Sequence, residues 1–346
     1  MSGVIERYHS WIGLPEGRAI SLSEGSTPLV HWDSWGHSNI FLKLEGLNPT
    51  GSFKDRGMTV AVTNALAEGA KAVICASTGN TAASAAAYAA RARIPALVVV
   101  PQGRVTKEKT LQALAHGARF LTIEGNFDDA LHAVRQSVQS IPWLALVNSV
   151  NPWRIRGQET GAYEVVDELG RPPEALVLPV GNAGNISAYA QGFRRYSGIL
   201  PKMFGIQAAG ASPLVQGHDI PNPETLASAI RIGKPASSAS AKEAVAQSQG
   251  AFLSVSDEDI LAAQKELAHG GIFVEPASAA AYAGLLRLRQ DNRIAGGNIV
   301  VVLTGHGLKD GSTPNAWIDA STRLISAGEL GEALHDMIGV AQHVAH

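Results

Sequence analysis

The sequence predicts an α/β protein made of two three-layer α/β domains with mostly parallel sheets. Strand-like segments such as 72–76, 96–100 and 299–303 are continuous apolar runs, which is typical of strands that are covered on both faces. These runs alternate with amphipathic segments of helical length, and such alternation indicates helices packed on both sides of a parallel sheet. A length of 346 residues fits two domains better than one compact core.

The first α/β series follows two extended segments near the N-terminus. Residues 26–30 and 39–45 read as strands, and a Trp/Gly turn region separates them. Four helix–strand pairs come next, in each of which a helical pattern precedes a short apolar run. The predicted pairs are 55–68 with 72–76, 81–91 with 96–100, 106–116 with 119–123, and 128–139 with 144–147.

The second series begins near Pro152, and Ser256 is a predicted N-cap because Asp259 follows three residues later. Its predicted elements are helix 155–169, strand 175–180, helix 186–196, strand 204–207, a helix that ends at His269, and strand 299–303. Residues 210–250 are rich in Pro, Ser and Ala, which predicts a partly irregular and mobile flap. We therefore expect a large cofactor-binding domain (1–47 and 148–325), a small α/β domain (48–147) and a C-terminal tail (326–346), with the site in the cleft between the domains.

Composition and charge exclude several classes of protein. A formal net charge of −2 without a basic run argues against nucleic-acid binding, and no apolar run is long enough to span a bilayer. The single cysteine, Cys75, lies in an apolar run, which predicts a buried thiol in a reducing compartment. The histidines show no metal-ligand spacing, so no metal site is predicted. A cytoplasmic protein is the expectation.

Lys54 lies where a turn meets a helix. Pro49 and Gly51 mark the turn, and the helical pattern starts at Asp55. The positive field of a helix N-terminus and partial desolvation both lower the pKa of a lysine, and the neutral amine that results can form a Schiff base. The alternative is an ordinary surface lysine beside a turn, and only motifs later in the chain weigh against it.

A glycine-rich turn, Gly181-Asn182-Ala183-Gly184-Asn185, stands between the predicted strand 175–180 and a helix. At such a turn, successive backbone N–H groups can converge on an anion at the positive end of the helix, which predicts a phosphate cradle. The turn has neither Gly-Lys-Ser/Thr nor the Gly-x-Gly-x-x-Gly spacing of a dinucleotide site. A tight turn without a ligand is the alternative.

Two further polar turns follow apolar strands. Residues 77–81, Ser-Thr-Gly-Asn-Thr, could hold a carboxylate, and the Asn80 amide could donate to a phenolate-like oxygen, although helix capping explains part of this turn. Thr304 follows the last apolar strand, where its hydroxyl could face a pyridine nitrogen. A lysine, a phosphate cradle, an oxygen-3 donor and a pyridine partner are the parts of a pyridoxal phosphate site.

The order and wording of these motifs resemble the fold type II pyridoxal-phosphate enzymes, the tryptophan synthase β-like family, from Ser26 to about Asp310. The most specific segments are 47–56, 77–84, 181–185, 229–233 and 303–310. Within the family, the residues of these motifs most resemble those of the members that form L-threonine from O-phospho-L-homoserine. Serine/threonine dehydratases usually carry Ser-Gly-Gly-Asn at the positions of 304–307 and Ser-x-Gly-Asn-His at those of 77–81.

The resemblance implies pyridoxal 5′-phosphate as cofactor and Lys54 as the Schiff-base and acid–base residue, hence the catalytic one. It implies that the phosphorylated substrate needs a second anion site, for which residues 148–154 are suited because Asn148, Ser149 and Arg154 can bind a phosphate. A polar loop with a surface arginine is the alternative. The implied cofactor-binding residues are Lys54, Asn80, Gly181, Asn182, Ala183, Gly184, Asn185 and Thr304. The implied substrate-binding residues are Ser77, Thr78, Thr81, Asn148, Ser149 and Arg154. A homodimer is the family expectation.

Two rival functions stay open at this point. A serine/threonine dehydratase on the same scaffold would need no second phosphate pocket, and a non-catalytic protein could keep the fold and sense an amino acid or a phosphate ester. The chain departs from the family at 234–238, where Lys-Pro-Ala-Ser-Ser replaces the frequent Asn-Pro-Ala-Ser-Trp, so flap closure is less certain there. His306 could line the pocket or serve only the turn.

Overall fold

The structure is a computed structural model. It describes residues 2–77, 79–102, 107–125, 127–294, 296–310, 317, 325–330 and 332–334, without the side chains of 107–109, 127 and 128. The chain divides into two compact units, Met1–Thr313 and Pro314–His346. The described part of the second unit contains a short 3-10 helix, Ala327–Glu329, whose N-terminus is capped by Ser326 and Glu329. All elements named below belong to the first unit.

The strands of the first unit are short and mostly apolar. They are β1 (Leu29–Trp35), β2 (Ser38–Leu44), β3 (Ala72–Ala76), β4 (Ala96–Pro101), β5 (Arg119–Ile123), β6 (Leu144–Leu146), β7 (Ala175–Pro179), β8 (Lys202–Ala208), β9 (Ala251–Val255) and β10 (Gly297–Leu303). Every residue of β3 and of β7 is buried, as expected of strands in the middle of a parallel sheet.

The helices are α1 (Val4–Arg7), α2 (His9–Ile12), α3 (Lys54–Ala67), α4 (Asn80–Ala92), α5 (Lys107–Ala115), α6 (Phe127–Ser140), α7 (Pro152–Gln158), α8 (Thr160–Leu169), α9 (Gly184–Ser197), α10 (Pro213–Gln216), α11 (Ser238–Gln247), α12 (Asp257–His269) and α13 (Pro276–Gln290). Ser256 and Asp259 form a reciprocal capping box at the start of α12, so that predicted N-cap is confirmed.

The strands form two sheets. The six-stranded sheet has the order β1-β2-β10-β7-β8-β9, in which only β1 and β2 pair antiparallel. The four-stranded sheet has the order β5-β4-β3-β6 and is parallel throughout. Apolar residues from α12 and α13 pack on one face of the larger sheet, and those from α8, α9 and α11 pack on the other. The smaller sheet is covered by α3, α4 and α5 on one face and by α6 on the other. The predicted fold class is thereby confirmed.

The predicted helix 155–169 was wrong in one respect, because it is two helices that divide at Glu159. The Thr160 hydroxyl donates to the Gly157 carbonyl at 2.6 Å, which draws that carbonyl away from a regular helical ladder. The N-terminal helices α1 and α2 and the strand β9 had not been predicted, and of α13 only the start at Pro276 had been. The flap 210–250 is partly irregular, as predicted, but it also contains α10 and α11.

The positions of the strands support the domain boundaries expected from the sequence. All four strands of the smaller sheet fall within 48–147, and all six of the larger sheet fall within 1–47 and 148–325. We propose that each sheet is the centre of one of these two domains.

Candidate functional site

Lys54 is the first residue of α3 and is held against the loop that follows β10. The Phe53 N–H donates to the Thr304 carbonyl at 3.0 Å, and the His306 N–H donates to the Gly51 carbonyl at 2.9 Å. Ser52 and Gly305 form an isolated antiparallel bridge between these two contacts. The two motifs are about 250 residues apart in the sequence, and the fold brings them side by side.

The side chain of Lys54 is half-buried. Burial lowers the pKa of Lys54 to about 7, the positive charge of Arg154 lowers it further, and the negative charge of Glu275 opposes both effects. The Lys54 Nζ lies 4.2 Å from the centre of the Phe53 ring. Lys54 is therefore not a surface lysine, and a substantial share of its amine is neutral near pH 7.

Asp55 fixes the loop that leads into α3. Its carboxylate accepts from the Thr50 N–H at 2.7 Å, from the Thr50 hydroxyl at 2.6 Å and from the Ser84 hydroxyl of α4 at 2.6 Å. Burial raises the pKa of Asp55 to about 6, although these hydrogen bonds oppose the rise. The sequence analysis had not assigned a role to Asp55 or Ser84, and the contact ties the Lys54 loop to the smaller sheet.

The turn 181–185 lies between β7 and α9, as the sequence predicts. Ala183 has φ +65°, a left-handed conformation that turns the chain sharply into the helix. The N–H groups of residues 181–186 donate no hydrogen bond to any residue in the described ranges. The turn therefore has the free donors that a phosphate cradle needs, at the N-terminus of a 14-residue helix.

Asn185 provides an independent test of whether this turn fits a phosphate. Its side chain is 9% exposed, yet neither amide atom has a hydrogen-bond partner among the described residues. A buried amide without a partner is costly, which indicates a site that a polar ligand completes. A Cβ on Gly184 would lie 3.9 Å from the Ser149 carbonyl oxygen, so part of the second predicted anion segment lies beside the turn.

The flap contributes the other wall of the turn. The Asn182 carbonyl accepts from the Ser237 N–H at 3.1 Å, and the Asn182 side chain accepts from the Ala236 N–H at 3.4 Å. A Cβ on Gly181 would lie 3.2 Å from the Ala229 carbonyl oxygen, so residues 229–233 pack against the turn. Residues 234–238, where the chain departs from its family, are therefore adjacent to the turn.

Thr304 is buried at the carboxyl end of β10. Its Oγ1 lies 3.0 Å from the Oγ of Ser278 in α13, which also accepts from the Gly305 N–H at 2.8 Å. A neutral hydroxyl thus stands at the sheet edge, close to the Lys54 loop, as the sequence predicts. Ser278 is its hydrogen-bond partner.

Asn80 begins α4 and points toward α13. Its Nδ2 lies 3.0 Å and 3.2 Å from the two carboxylate oxygens of Glu275. In the same turn, the Ser77 hydroxyl accepts from the Gly79 N–H at 3.2 Å, and Thr81 is half-buried. Thr78 lies outside the described residues. Glu275 was missed as a charged neighbour, although a glutamate before Pro276 is an unusual N-cap and offers a weak signal.

The polar side chains of residues 148–154 differ in how many of their hydrogen-bonding atoms have a partner. Both ends of the Asn148 amide bind the backbone of Ala76, at 2.9 Å and 3.0 Å, so this contact holds the side chain in place. Ser149 is half-buried. Arg154 is buried in α7, where its Nη1 donates to the Val147 carbonyl at 3.0 Å while Nε and Nη2 have no partner in the described part of the chain.

Arg154 is thus not the surface arginine of the alternative interpretation. Burial lowers the pKa of Arg154 to about 10, and the nearby Cys75 and Asp55 oppose this effect. It still carries a positive charge at neutral pH, close enough to Lys54 to affect its pKa. A buried cation with two free donor atoms is suited to an anion with several oxygens.

Other chemistries find no support in the described residues. Burial raises the pKa of Cys75 to about 12, which is consistent with the predicted structural thiol rather than a nucleophile. No group of three or more His, Cys, Asp or Glu that could hold a metal ion occurs in the described ranges. Within the same ranges, no helix is both long and apolar enough to cross a bilayer.

Comparison with known proteins gives a consistent result. The family model described as pyridoxal-phosphate dependent enzyme matches residues 20–305. A threonine synthase of Mycobacterium bovis is 54% identical over 324 residues, covering 90% of this chain and 89% of the relative. A threonine synthase of a Synechocystis species is 50% identical over 338 residues, covering 94% and 87%.

Solved structures show the same fold at lower identity. A cysteine synthase of Entamoeba histolytica matches with a TM-score of 0.75 and 20% identity, covering 89% of this chain and 93% of that one. A threonine deaminase isoform of Solanum lycopersicum matches with a TM-score of 0.70 and 23% identity, covering 90% and 83%.

Proposed function

Because the chain belongs to the pyridoxal-phosphate-dependent enzymes, and within them to the threonine synthases, we propose that it converts O-phospho-L-homoserine and water into L-threonine and phosphate, with the cofactor held on Lys54. It is a lyase of threonine biosynthesis that uses pyridoxal 5′-phosphate. The observation that best supports the proposed role of Lys54 is its place against the loop of Thr304, where desolvation lowers the pKa of Lys54 to about 7.

The residues present fit the cofactor. Lys54 would hold its aldehyde as a Schiff base, the free N–H groups of residues 181–186 and the Asn185 amide would hold its phosphate, and Thr304 would face its ring nitrogen. Asn80 would donate to its ring oxygen. When bound, the cofactor withdraws electrons from the amino acid, which makes the protons on the α and β carbons acidic.

The chain then has to move protons and hold the departing phosphate. The ε-amine of Lys54 can accept a proton and return it near neutral pH, because its pKa is lowered to about 7. Arg154 and Ser149 would orient the substrate phosphate, which leaves the γ carbon while water adds at the β carbon. Arg154 would also stabilise the charge that develops on the leaving group.

The proposed activity is tested by incubating the purified, cofactor-loaded protein with O-phospho-L-homoserine and measuring phosphate and threonine together. We expect equal amounts of the two products and no product from Lys54→Ala. The same protein is then given L-threonine and L-serine. If 2-oxo acids form from these faster than threonine forms from O-phospho-L-homoserine, the protein is a dehydratase and the proposal is wrong.

Arg154→Ala tests the proposed substrate phosphate site. We expect KM for O-phospho-L-homoserine to rise and kcat to fall, because the same contact holds the phosphate in the ground state and as it leaves. A loss of one buried charge-assisted contact corresponds to roughly 10- to 100-fold in kcat/KM. Arg156→Ala, in the same helix and partly exposed, is the matched control, and equal effects of the two variants would contradict the assignment.

We further propose that the protein is a cytoplasmic homodimer whose small-molecule partner is O-phospho-L-homoserine. The single reduced and buried thiol supports a reducing compartment, and the family resemblance supports the dimer. Sedimentation of the loaded protein tests the dimer, and a monomer at micromolar concentration would contradict it.

A further inference from the structure

Glu275 is a buried carboxylate that the proposed chemistry does not use. Its side chain is 5% exposed, and both of its oxygens lie within 3.2 Å of the Asn80 Nδ2. The two residues are 195 positions apart in sequence. Asn80 begins α4, which packs on the smaller sheet, and Glu275 directly precedes α13, which packs on the larger sheet. The contact therefore joins a helix on the smaller sheet to the start of a helix on the larger sheet, beside the place proposed for the cofactor ring.

Glu275 occupies the N-cap of α13 without using its side chain as a cap. The Glu275 carbonyl accepts from the Ser278 N–H at 2.9 Å, while no side-chain capping bond forms. Pro276 follows at the first helical position, where proline is favoured because an N–H there would have no partner inside the helix. The carboxylate is thus free to turn away from its own helix and toward Asn80.

The loop after β10 is shaped around this carboxylate. The Glu275 N–H donates to the Gly305 carbonyl at 3.1 Å, and a Cβ on Gly305 would lie 2.3 Å from Oε1 of Glu275. Only glycine therefore leaves room for the carboxylate at this point. The Glu275 carboxylate therefore lies directly against Gly305, next to Thr304, the residue proposed to face the ring nitrogen.

The polar and charged groups that affect the pKa of Glu275 come from three elements. Burial raises the pKa of Glu275, the hydrogen bond from Asn80 and the charges of Lys309 and Lys54 lower it, and Asp310 raises it. Lys309 is itself held by the Thr50 carbonyl at 3.0 Å and by Gln112. The Asn80 Nδ2 lies within 3.2 Å of both carboxyl oxygens, so at least one of these oxygens accepts a hydrogen bond from it.

Glu275 accepts a hydrogen bond from Asn80, and this selects which end of the Asn80 amide, the NH2 group or the oxygen, faces the proposed site. The two ends of an asparagine amide have nearly the same shape, so hydrogen-bond partners select between them. A carboxylate selects the NH2 end. That group has two N–H bonds, and when one donates to Glu275 the second is left for another acceptor on the same side. Without Glu275 the amide could turn and present its oxygen, which would repel the phenolic oxygen of the cofactor.

We propose that Glu275 is a positioning residue that holds the Asn80 amide with its NH2 group toward the cofactor's phenolic oxygen. This inference rests on the proposed function, because it requires the cofactor ring to lie beside Asn80. Glu275 touches neither substrate nor cofactor in this role and acts only through Asn80.

The experiment measures the dissociation constant of pyridoxal 5′-phosphate for Asn80→Ala, Glu275→Ala and the double variant. We expect Glu275→Ala to weaken binding by about tenfold, as for the loss of one charge-assisted hydrogen bond. We expect the double variant to bind no more weakly than Asn80→Ala alone. Glu275→Gln should restore most of the affinity, because its amide oxygen can still accept from Asn80. Glu258→Ala, at an exposed first-turn position of α12, is the control and should bind as wild type does.

Additive effects of the two single variants would overturn the proposal, as would unchanged cofactor affinity in Glu275→Ala. Should Glu275→Ala fail to fold, the exchanged pair Asn80→Asp with Glu275→Gln decides. That pair keeps a hydrogen bond between the two positions but leaves no N–H on residue 80. We expect it to match the thermal midpoint of wild type and to bind the cofactor at least about tenfold more weakly. Wild-type affinity in the exchanged pair would mean that the contact only holds the structure together, which overturns the proposal.

These readouts do not depend on turnover. A wild-type protein that binds the cofactor but forms no threonine from O-phospho-L-homoserine would refute the proposed function. The dissociation constants would still decide the role of Glu275.

Discussion

The protonation of Lys54 depends on three neighbouring features of the fold. Burial and the charge of Arg154 lower the pKa of Lys54, and Glu275 raises it, with a net value of about 7. A neutral amine is the form that attacks an aldehyde, so its supply falls as pH drops below this value. Arg154 therefore has two proposed roles. It binds the substrate phosphate, and its positive charge favours the neutral form of the Lys54 amine.

The pH dependence of cofactor capture tests this balance. We expect the rate at which cofactor-free protein takes up pyridoxal 5′-phosphate to rise with pH with its midpoint near pH 7, and to level off about two pH units higher, where nearly all of Lys54 is neutral. Arg154→Gln removes a positive charge, so the midpoint should move to higher pH. Arg156→Gln should leave it unchanged. A rate that keeps rising toward pH 10 in the wild type would show an ordinary lysine.

Single residues were predictable where their role depends on adjacent sequence. Lys54, Thr304 and the turn 181–185 stand directly beside the turns and strands that place them, so motif and periodicity located them. Asn80 and Glu275 are 195 positions apart, and no pattern in either segment predicts that the two side chains are in contact. The contact of the Asn148 amide with the Ala76 backbone is of the same kind, because 72 positions separate the two residues.

Two glycines let the helices α3 and α7 approach closely. A Cβ on Gly157 would lie 2.1 Å from the Arg56 carbonyl oxygen, and one on Gly57 would lie 2.6 Å from the Arg154 carbonyl oxygen. Both obstacles are backbone atoms, which cannot move aside as a flexible side chain can. The contact places Arg154, on α7, beside Lys54, on α3.

Gly157→Ala is expected to force these helices apart. We expect a loss of about 1–3 kcal/mol in the free energy of unfolding, as for overpacking at a close contact. Because the shift also moves Arg154, the pH midpoint for cofactor capture should change. Gly17→Ala, where a Cβ would meet nothing within 4 Å, is the control in urea unfolding. Equal stability of the two variants would contradict the close contact.

Helices and strands were predictable where their burial leaves a clear pattern of apolar and polar residues in the sequence. Continuous apolar runs located β3, β7 and β10, and helical periodicity located the helices between them. The helix α13 is buried around most of its circumference, so it shows no polar face and no clear period. The strand β9 is a short edge strand with mixed burial, which leaves little alternation to read. The division at Glu159 depends on a side-chain contact of Thr160 and not on a helix-breaking residue.

A buried ionic network connects the helix that carries Lys54 to the larger sheet. Arg56 binds Glu45 at 2.7 Å and Glu164 at 2.6 Å, and Lys43 of β2 lies 3.1 Å from Glu164. Burial would raise the pKa of Glu164, but Arg56 and Lys43 lower it to about 2. The side chains of these four residues are at most 1% exposed, so each charge depends on its partners.

Removing one charge should therefore destabilise the whole first unit. We expect Glu164→Gln to lower the free energy of unfolding at neutral pH by about 3–5 kcal/mol, because Arg56 and Lys43 lose a buried partner. The folded pKa of Glu164 lies below its unfolded value, so its contribution is present above about pH 4.5 and is lost as pH falls toward 2. The difference between wild type and variant should shrink over that range. Glu258→Gln, at an exposed position, is the control, and a difference independent of pH would contradict the network.

The attachment point of the cofactor is the claim on which the whole account depends. It is tested most directly by reducing the loaded protein with borohydride and mapping the modified peptide by mass spectrometry. We predict that the reduced cofactor is found on Lys54 and that Lys54→Ala carries none. Cofactor on Lys309 or another lysine, with Lys54 unmodified, would contradict the account.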